Sequence, residues 1–373
     1  MILTIFTPFT SENQTFLENK VGITNKVLTF EYTKRATKVG DFTLTLPFSD
    51  KSASKIKKDY VLWAKDEKPS CWLIVRNIEI SLKDRTYTFT GCDAKGYLSQ
   101  RITLYAEKQD TGTFGYDVVQ GTTGKCCNHY VTNNLISPTD SNRKIPGLQL
   151  SSGNEAVGIK NDTYMSRFEY ISEVIQKLCE NAGVWWDVYG DTEKNKFVFV
   201  LYEKVNKSAS QTALSPIIFS RTRKNVSEVK YQTGNTNFKN AFYSTMSGKA
   251  SDSSALTTLV LRNPDKVPKG VERKEMQLNV NCDNASEIQK YALHEVTDYT
   301  ETQAFNAEVC GHDFSLGDIV TIIDKELGLQ IDTDITEIKI SKSSGSNTVS
   351  VVFGKSEPKM LDKLNLKIKN RGG

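Results

Sequence analysis

The sequence predicts a mainly β protein with α+β insertions, in which two related β-barrel modules carry two inserted domains. Three observations point there. The stretch Trp72–Gly91, WLIVRNIEISLKDRTYTFTG, reads as two strands and a turn. Trp72, Ile74, Ile78 and Ile80 alternate onto one face, and Tyr87 and Phe89 do so after Lys83-Asp84. The plan returns at Ile335–Phe353, where Val75–Ser81 is echoed by Ile335–Ser341. Helical periodicity, by contrast, is confined to segments between these β-rich regions and to the tail that follows them.

More of the chain follows the same repeat. Asp59-Tyr60-Val61-Leu62 approaches the first strand pair, and Asp318-Ile319-Val320-Thr321 the second. Upstream, Val27–Tyr32 leads to Phe42-Thr43-Leu44, and Val226–Tyr231 leads to Phe242-Tyr243-Ser244. Val226 lies 199 positions after Val27, whereas Asp318 lies 259 after Asp59. The copies therefore match only if about sixty residues, near 250–310, are inserted in the second. One match would mean little, because any half-buried strand alternates in this way. Four in one order predict a duplicated β module, with Ile78 over Ile338 and Phe89 over Phe353.

Taken in order, residues 1–103 form the first β-barrel domain, with strands at Leu3–Phe6, Val27–Tyr32, Phe42–Leu46, Tyr60–Trp63 and the Trp72–Gly91 pair. Turns fall at Gly40-Asp41 and Lys68-Pro69, and Lys34–Lys38 reads as a charged connection. Six short strands without helices favour a small barrel or sandwich. Residues 104–215 form an α+β insertion domain. It holds a helix over Lys125–Leu135 and a clearer one over Ser166–Asn181, with Ser166 and Glu169 as a capping box. Phe168, Ile171, Ile175 and Leu178 give that helix its apolar face, and Gly183 stops it. A hairpin of Val184–Tyr189 and Phe197–Tyr202 follows, then a linker at 207–216. The second barrel domain takes residues 216–248 and 305–355. The inserted domain 249–304 begins with the polar Lys249–Ser254 and contains a helix at Ala285–Val296, capped by Asp283 or Asn284. The basic tail 356–373 has helical potential around Met360–Lys369.

Composition excludes some classes. With 25% charged and 38% hydrophobic residues, the 373-residue chain is ordinary for a globular protein of two or three domains. A formal net charge of +4 is too small to imply nucleic acid or an anionic membrane. Apolar runs such as Phe197–Tyr202 fall far short of the ~20 residues that span a bilayer, so no membrane anchor is expected. MILTIFTPF lacks the basic start of a signal peptide. The seven cysteines are scattered, with no Cys-x-x-Cys, which fits free thiols in a reducing cytoplasm.

Candidate chemistry is sparse. Cys126 and His129 are three apart on a helix, as in a thiol catalyst, but no orienting group accompanies them. His312 with Asp313 and Asp318, or His294-Glu295, suggests a metal; three histidines in unrelated segments make a poor ligand set. Asp318 after Gly317 reads better as a turn residue capping local amides. The carboxylate pairs Glu169/Glu173 and Asp187/Asp191 suggest a glycosidase only if a pocket unites them. Of Trp185 and Trp186, beside Tyr189, one indole packs inward and the other outward, where it could meet a sugar. No catalytic, cofactor-binding or metal-binding residue is therefore assigned, no cofactor is expected, and the chain reads as a structural component rather than an enzyme.

Several stretches in their order resemble the tail-tip hub proteins of siphophages, relatives of the baseplate hubs of contractile-tailed phages. They are Phe42–Pro47, Trp72–Gly91 followed by Cys92–Leu98, Tyr130–Asn134 with Pro138, Arg143–Pro146, Phe168–Tyr202, Ile218–Ser220 with Asn240-Ala241, and Leu316–Val320. The resemblance runs from Met1 to about Gly354 and leaves the tail unmatched. It implies two tail-tube-like β-barrel domains per chain, a baseplate-hub-like fold and a homotrimer. Three chains then present six similar units to a sixfold tail tube while keeping threefold symmetry for a spike or fibre. It further implies a distal tail or tail tube protein above, a spike, fibre or tail-tip protein below, and a tape-measure protein or DNA passing through the lumen. The setting would be the virion tail, or a phage-tail-like particle such as a bacteriocin, assembled in the bacterial host cytoplasm. Alternatives are a tail-associated cell-wall hydrolase and a saccharide-binding receptor module using Trp185 or Trp186. In the hub reading, the hydroxyl faces of Thr43 and Thr45, of Thr86, Thr88 and Thr90, and of Ser350 are expected to give the channel an uncharged wall.

Overall fold

The computed structural model describes residues 1–65, 70–104, 116–246, 257–263, 265–280, 288–310 and 314–355. The protein is mainly β, 44% strand against 18% helix. Seven strands open the chain: β1 (Leu3–Phe6), β2 (Lys20–Thr24), β3 (Thr29–Arg35), β4 (Asp41–Pro47), β5 (Val61–Ala64), β6 (Cys71–Ser81) and β7 (Thr86–Asp93). They pair in the order β3-β4-β7-β6-β5-β1-β2. Period-two alternation buries Phe30 and Tyr32 of β3, Phe42, Leu44 and Leu46 of β4, and Phe89 of β7 on one face. A bulge between Val75 and Asn77 divides β6: before it the strand pairs with β5 and β7, beyond it with β7 alone. The strand's bend brings Leu3, Ile5, Leu62 and Leu73 into one core with Phe30, Leu44 and Phe89.

The next unit holds β8 (Asp117–Gly121), α1 (Thr123–Val131), β9 (Leu148–Leu150), β10 (Asp162–Ser166), α2 (Ile171–Ala182), β11 (Trp185–Asp191) and β12 (Lys196–Tyr202). Thr122 caps α1 by accepting from the Lys125 amide at 3.0 Å. Gly183 ends α2 in the left-handed conformation, φ 68°. The expected capping box is not a cap. Ser166 ends β10, five residues before α2, and its bond to Glu169 lies in the connecting turn. Phe168 is therefore exposed at φ 58° rather than on the helix face, which Ile171, Val174, Ile175 and Leu178 provide. That face shares a core with Phe6, Phe9, Phe16 and Trp72, so the unit packs on the outside of the first module.

β13 (Ile218–Ser220) and β14 (Val226–Gly234) start the second module. A separate sheet follows, β15 (Ala241–Met246) between β16 (Thr257–Leu261) and the parallel β17 (Glu275–Val280). Helix α3 (Ile288–Glu295) packs against it through Ile288 and Ala292. Then come β18 (Thr302–Val309), β19 (Ile319–Asp324), β20 (Leu329–Ser343) and β21 (Ser346–Lys355). The expected turn at Lys68-Pro69, the Asp283 or Asn284 cap, Lys249–Ser254 and the 356–373 tail lie outside the described residues.

The second module pairs as β14-β18-β21-β20-β19-β13, so its strands reproduce the order of β3, β4, β7, β6 and β5 in the first. Both long strands carry the same bulge, at Val75/Asn77 and at Ile335/Glu337. Asp59 and Gly317 occupy the same left-handed turn, φ 68° and 82°. Each donates its amide to the residue before the bulge, Val75 or Ile335. Three details of the expected alignment change. Asp318 corresponds to Tyr60 rather than Asp59. Ile78 faces Phe89 while Ile338 faces Val351, so Phe89 corresponds to Val351, not Phe353. The counterpart of β4 is β18, and Phe242–Ser244 lies in the separate sheet with β16 and β17. Alternation alone cannot separate such strands, because it reports a half-buried face and not the partner.

The modules join edge to edge. β20 pairs antiparallel with β3, from Glu337 opposite Arg35 to Lys342 opposite Phe30, and one ladder of 13 strands results.

Candidate functional site: the polar face of the long sheet

Residues paired across a ladder point to one side, so the register defines a continuous surface. Opposite the core, β4 contributes Asp41, Thr43 and Thr45, and β3 contributes Glu31, Thr33 and Arg35. On the other side of the join, β20 supplies Glu337 and Lys339, β21 Ser350 and Val352, and β18 Asn306. All of these except Thr45 line a single concavity of about 350 Å³ spanning both modules. The hydroxyls expected there are present, with Thr88 opposite Thr45 and Thr90 opposite Thr43. The surface is nevertheless not the uncharged wall expected. Lys339 Nζ stands 2.9 Å from Glu31, Arg35 Nε stands 3.4 Å from Glu337, and Arg35 also pairs with Asp41. The expectation rested on the threonine-rich strands and overlooked β3 and β20, which the join sets at the centre. Each cation in the concavity has a carboxylate partner, so the face offers little free positive charge to a phosphate.

The other candidate residues are dispersed. Burial pushes the Cys126 thiol up to about 12, away from the reactive thiolate. His129 pairs with Asp117 at 2.7 Å instead. His294 is buried with its Nε2 2.9 Å from Asp162, and Glu295 pairs with Lys177. His312 and Asp313 lie outside the described residues. Asp318 accepts from the Ser315 amide at 2.7 Å and pairs with Lys207, as a turn residue does. Among the described residues no three His, Cys, Asp or Glu side chains converge as a metal would need. Glu169 is held by Lys177, Asp187 is buried against Lys34, and Asp191 caps the β11–β12 turn, so each of these carboxylates is engaged by its own neighbours. Trp186 is buried and donates to the Thr37 carbonyl. Trp185 stacks on Tyr202 with ring centroids 4.1 Å apart, which covers one face of the outward indole.

Sequence reasoning missed a buried charge cluster between the first module and the insertion. Lys34 Nζ lies 2.5 Å from Asp187, and Lys95 donates to the carbonyls of Arg35, Ala36 and Lys38 while sitting 4.5 Å over the Trp186 ring. Burial pushes the Asp93 carboxyl up to about 6 and the Lys95 ammonium down to about 8. A signal existed: alternation of Phe30 and Tyr32 places Lys34 at a core position of β3.

No helix of the described residues is long and apolar enough to cross a membrane. None of the curated proteins matches the sequence. The fold is similar to that of a tail protein from Neisseria meningitidis MC58, with TM-score 0.55, 12% identity, and 95% of this chain and 96% of that one covered. The prophage MuSo2 43 kDa tail protein from Shewanella oneidensis gives TM-score 0.56, 12% identity and coverage of 95% and 98%. Prophage tail protein gp18 from Listeria monocytogenes EGD-e gives 0.53, 11% and full coverage of both chains. At the sequence level the match spans residues 19–355, and the chain belongs to the Siphovirus ReqiPepy6 Gp37-like protein family.

Proposed function

We propose that this protein is a structural hub of a phage tail tip or baseplate, a homotrimer that adapts the sixfold tail tube to a threefold spike or fibre. The observation that carries the reading is the join of two like modules in one ladder through β3 and β20. A chain already holding two equivalent units side by side needs only three copies to complete a ring of six. The polar face would line the channel through which DNA or a tape-measure protein passes. The insertions, packed on the outer side of the modules, would meet neighbouring tail proteins. The family and the shared fold of tail proteins support this reading over a cell-wall hydrolase, and the covered indoles weigh against a saccharide receptor. The test is the mass of the purified protein by sedimentation and light scattering, alone and in tail particles. The expected species is a trimer burying well over ~800 Å² per subunit at each contact. A monomer at high concentration and in every particle would sink the proposal.

A further inference from the structure

We propose that the free edge of β6 in one copy pairs with the free edge of β14 in the next, in the register of the internal β20–β3 join. An ion pair of inverted sign selects that pairing. The inference rests on the ring reading and adds which edges meet, in what register and why.

The strand equivalences make β6 the counterpart of β20, and β14 that of β3. Within the chain β20 and β3 satisfy each other over Glu337–Lys342. Their counterparts do not: among the described residues, β6 beyond Val75 pairs only with β7, and β14 pairs only with β18. Burial records the difference. Ile338 and Ile340, beside β3, are each 3% exposed, whereas Ile80 is 55% exposed. Tyr32 is buried, whereas its counterpart Tyr231 is half-buried. An unpaired edge carrying an exposed isoleucine is a template for another strand.

The internal register transfers directly. Ile340 opposite Tyr32 becomes Ile80 opposite Tyr231, and Lys339 opposite Thr33 becomes Glu79 opposite Gln232. The internal join carries Lys339 against Glu31 at 2.9 Å on the polar face. At the equivalent places the free edges carry Glu79 and Lys230. The pair is conserved in kind and reversed in sign. Wrong joins are thereby penalised: β6 against β3 would set Glu79 beside Glu31, and β20 against β14 would set Lys339 beside Lys230. Only alternating modules, joined head to tail, avoid both clashes.

Two experiments in a Cys310→Ser background test this, with folding checked by circular dichroism. Glu79→Cys combined with Gln232→Cys should give covalent multimers on mild oxidation, whereas Ser81→Cys with Gln232→Cys, two residues out of register, should not. Glu79→Lys and Lys230→Glu should each raise the concentration needed for assembly about tenfold, and the double charge swap should return it to within about threefold. Rescue by the double variant separates lost pairing from lost folding. A trimer that forms without the in-register cross-link, or that ignores both charge changes, overturns this pairing and leaves the ring standing. A chain that stays monomeric overturns both.

Discussion

At the scale of single residues, the chemistry of this protein is concentrated where charge has been buried. Asp93, Lys95, Lys34 and Asp187 sit between the first module and the insertion, and backbone carbonyls and the Trp186 ring compensate the ammonium of Lys95. Asp93 accepts from the Gly40 amide at 3.0 Å, and its other oxygen has no hydrogen-bond partner. With its carboxyl near 6 when folded and near 3.8 when unfolded, the native state holds a proton that the unfolded chain releases between about pH 4 and 6. Its contribution therefore declines as pH rises through that window and stays low above it. Asp93→Asn removes this dependence. The stability of the native protein relative to the variant should fall by about 2 kcal/mol from pH 4 to pH 7, measured by urea unfolding at both values. A parallel pair of pH profiles would show that Asp93 is solvated. Breaking the neighbouring pair with Lys34→Ala leaves Asp187 buried without its cation, and should cost about 3–5 kcal/mol in the same assay.

At the scale of elements, the two modules repeat a turn as faithfully as they repeat strands. Asp59 and Gly317 share a left-handed conformation that feeds the long bulged strand, and at Gly317 the Trp185 ring lies so close that a methyl would overlap it. Gly317→Ala should thus cost about 2–4 kcal/mol, combining backbone strain with overpacking. Asp59→Gly should change stability by less than ~1 kcal/mol. Thermal unfolding of the two variants compares them, and equal effects would refute the role of Trp185. This turn also marks the limit of what the sequence makes legible. Alternation revealed β6, β7, β20 and β21 and the duplication itself, because burying one face of a strand leaves a period of two. The same pattern made β15 look like a second β4, since a half-buried strand reads alike whichever edge it joins. The one-residue shift at Asp318 was hidden for a related reason: a turn is set by φ, and Asp59 and Gly317 reach positive φ with different side chains. The polar face was readable strand by strand in its threonines. Its charges emerged only with the β3–β20 join, a contact between residues some 300 positions apart.

At the scale of the whole molecule, the proposed ring would turn the polar face towards its channel. The register aligns Glu31, Asp41, Glu79, Glu308 and Glu337 with Arg35, Lys230 and Lys339 on that face, five carboxylates against three cations. A wall of this kind repels a DNA backbone weakly and holds few counterions to release, so a passing duplex is not gripped. Adding cations should change that. Thr43→Lys with Ser350→Lys places two new ammonium groups per chain in the concavity, six in a trimer. The assembled native protein should not retain double-stranded DNA at about 50 mM salt, whereas the variant should, with retention lost by about 200 mM. Location needs its own test, because these cations would attract DNA on an outer surface as well. In the assembled particle, Thr43→Cys should react with a small maleimide but not with one carrying a long polymer, while Glu193→Cys in the exposed β11–β12 turn should react with both. If the bulky reagent labels position 43 as fast as position 193, the polar face lies outside the ring and the channel is lined by something else.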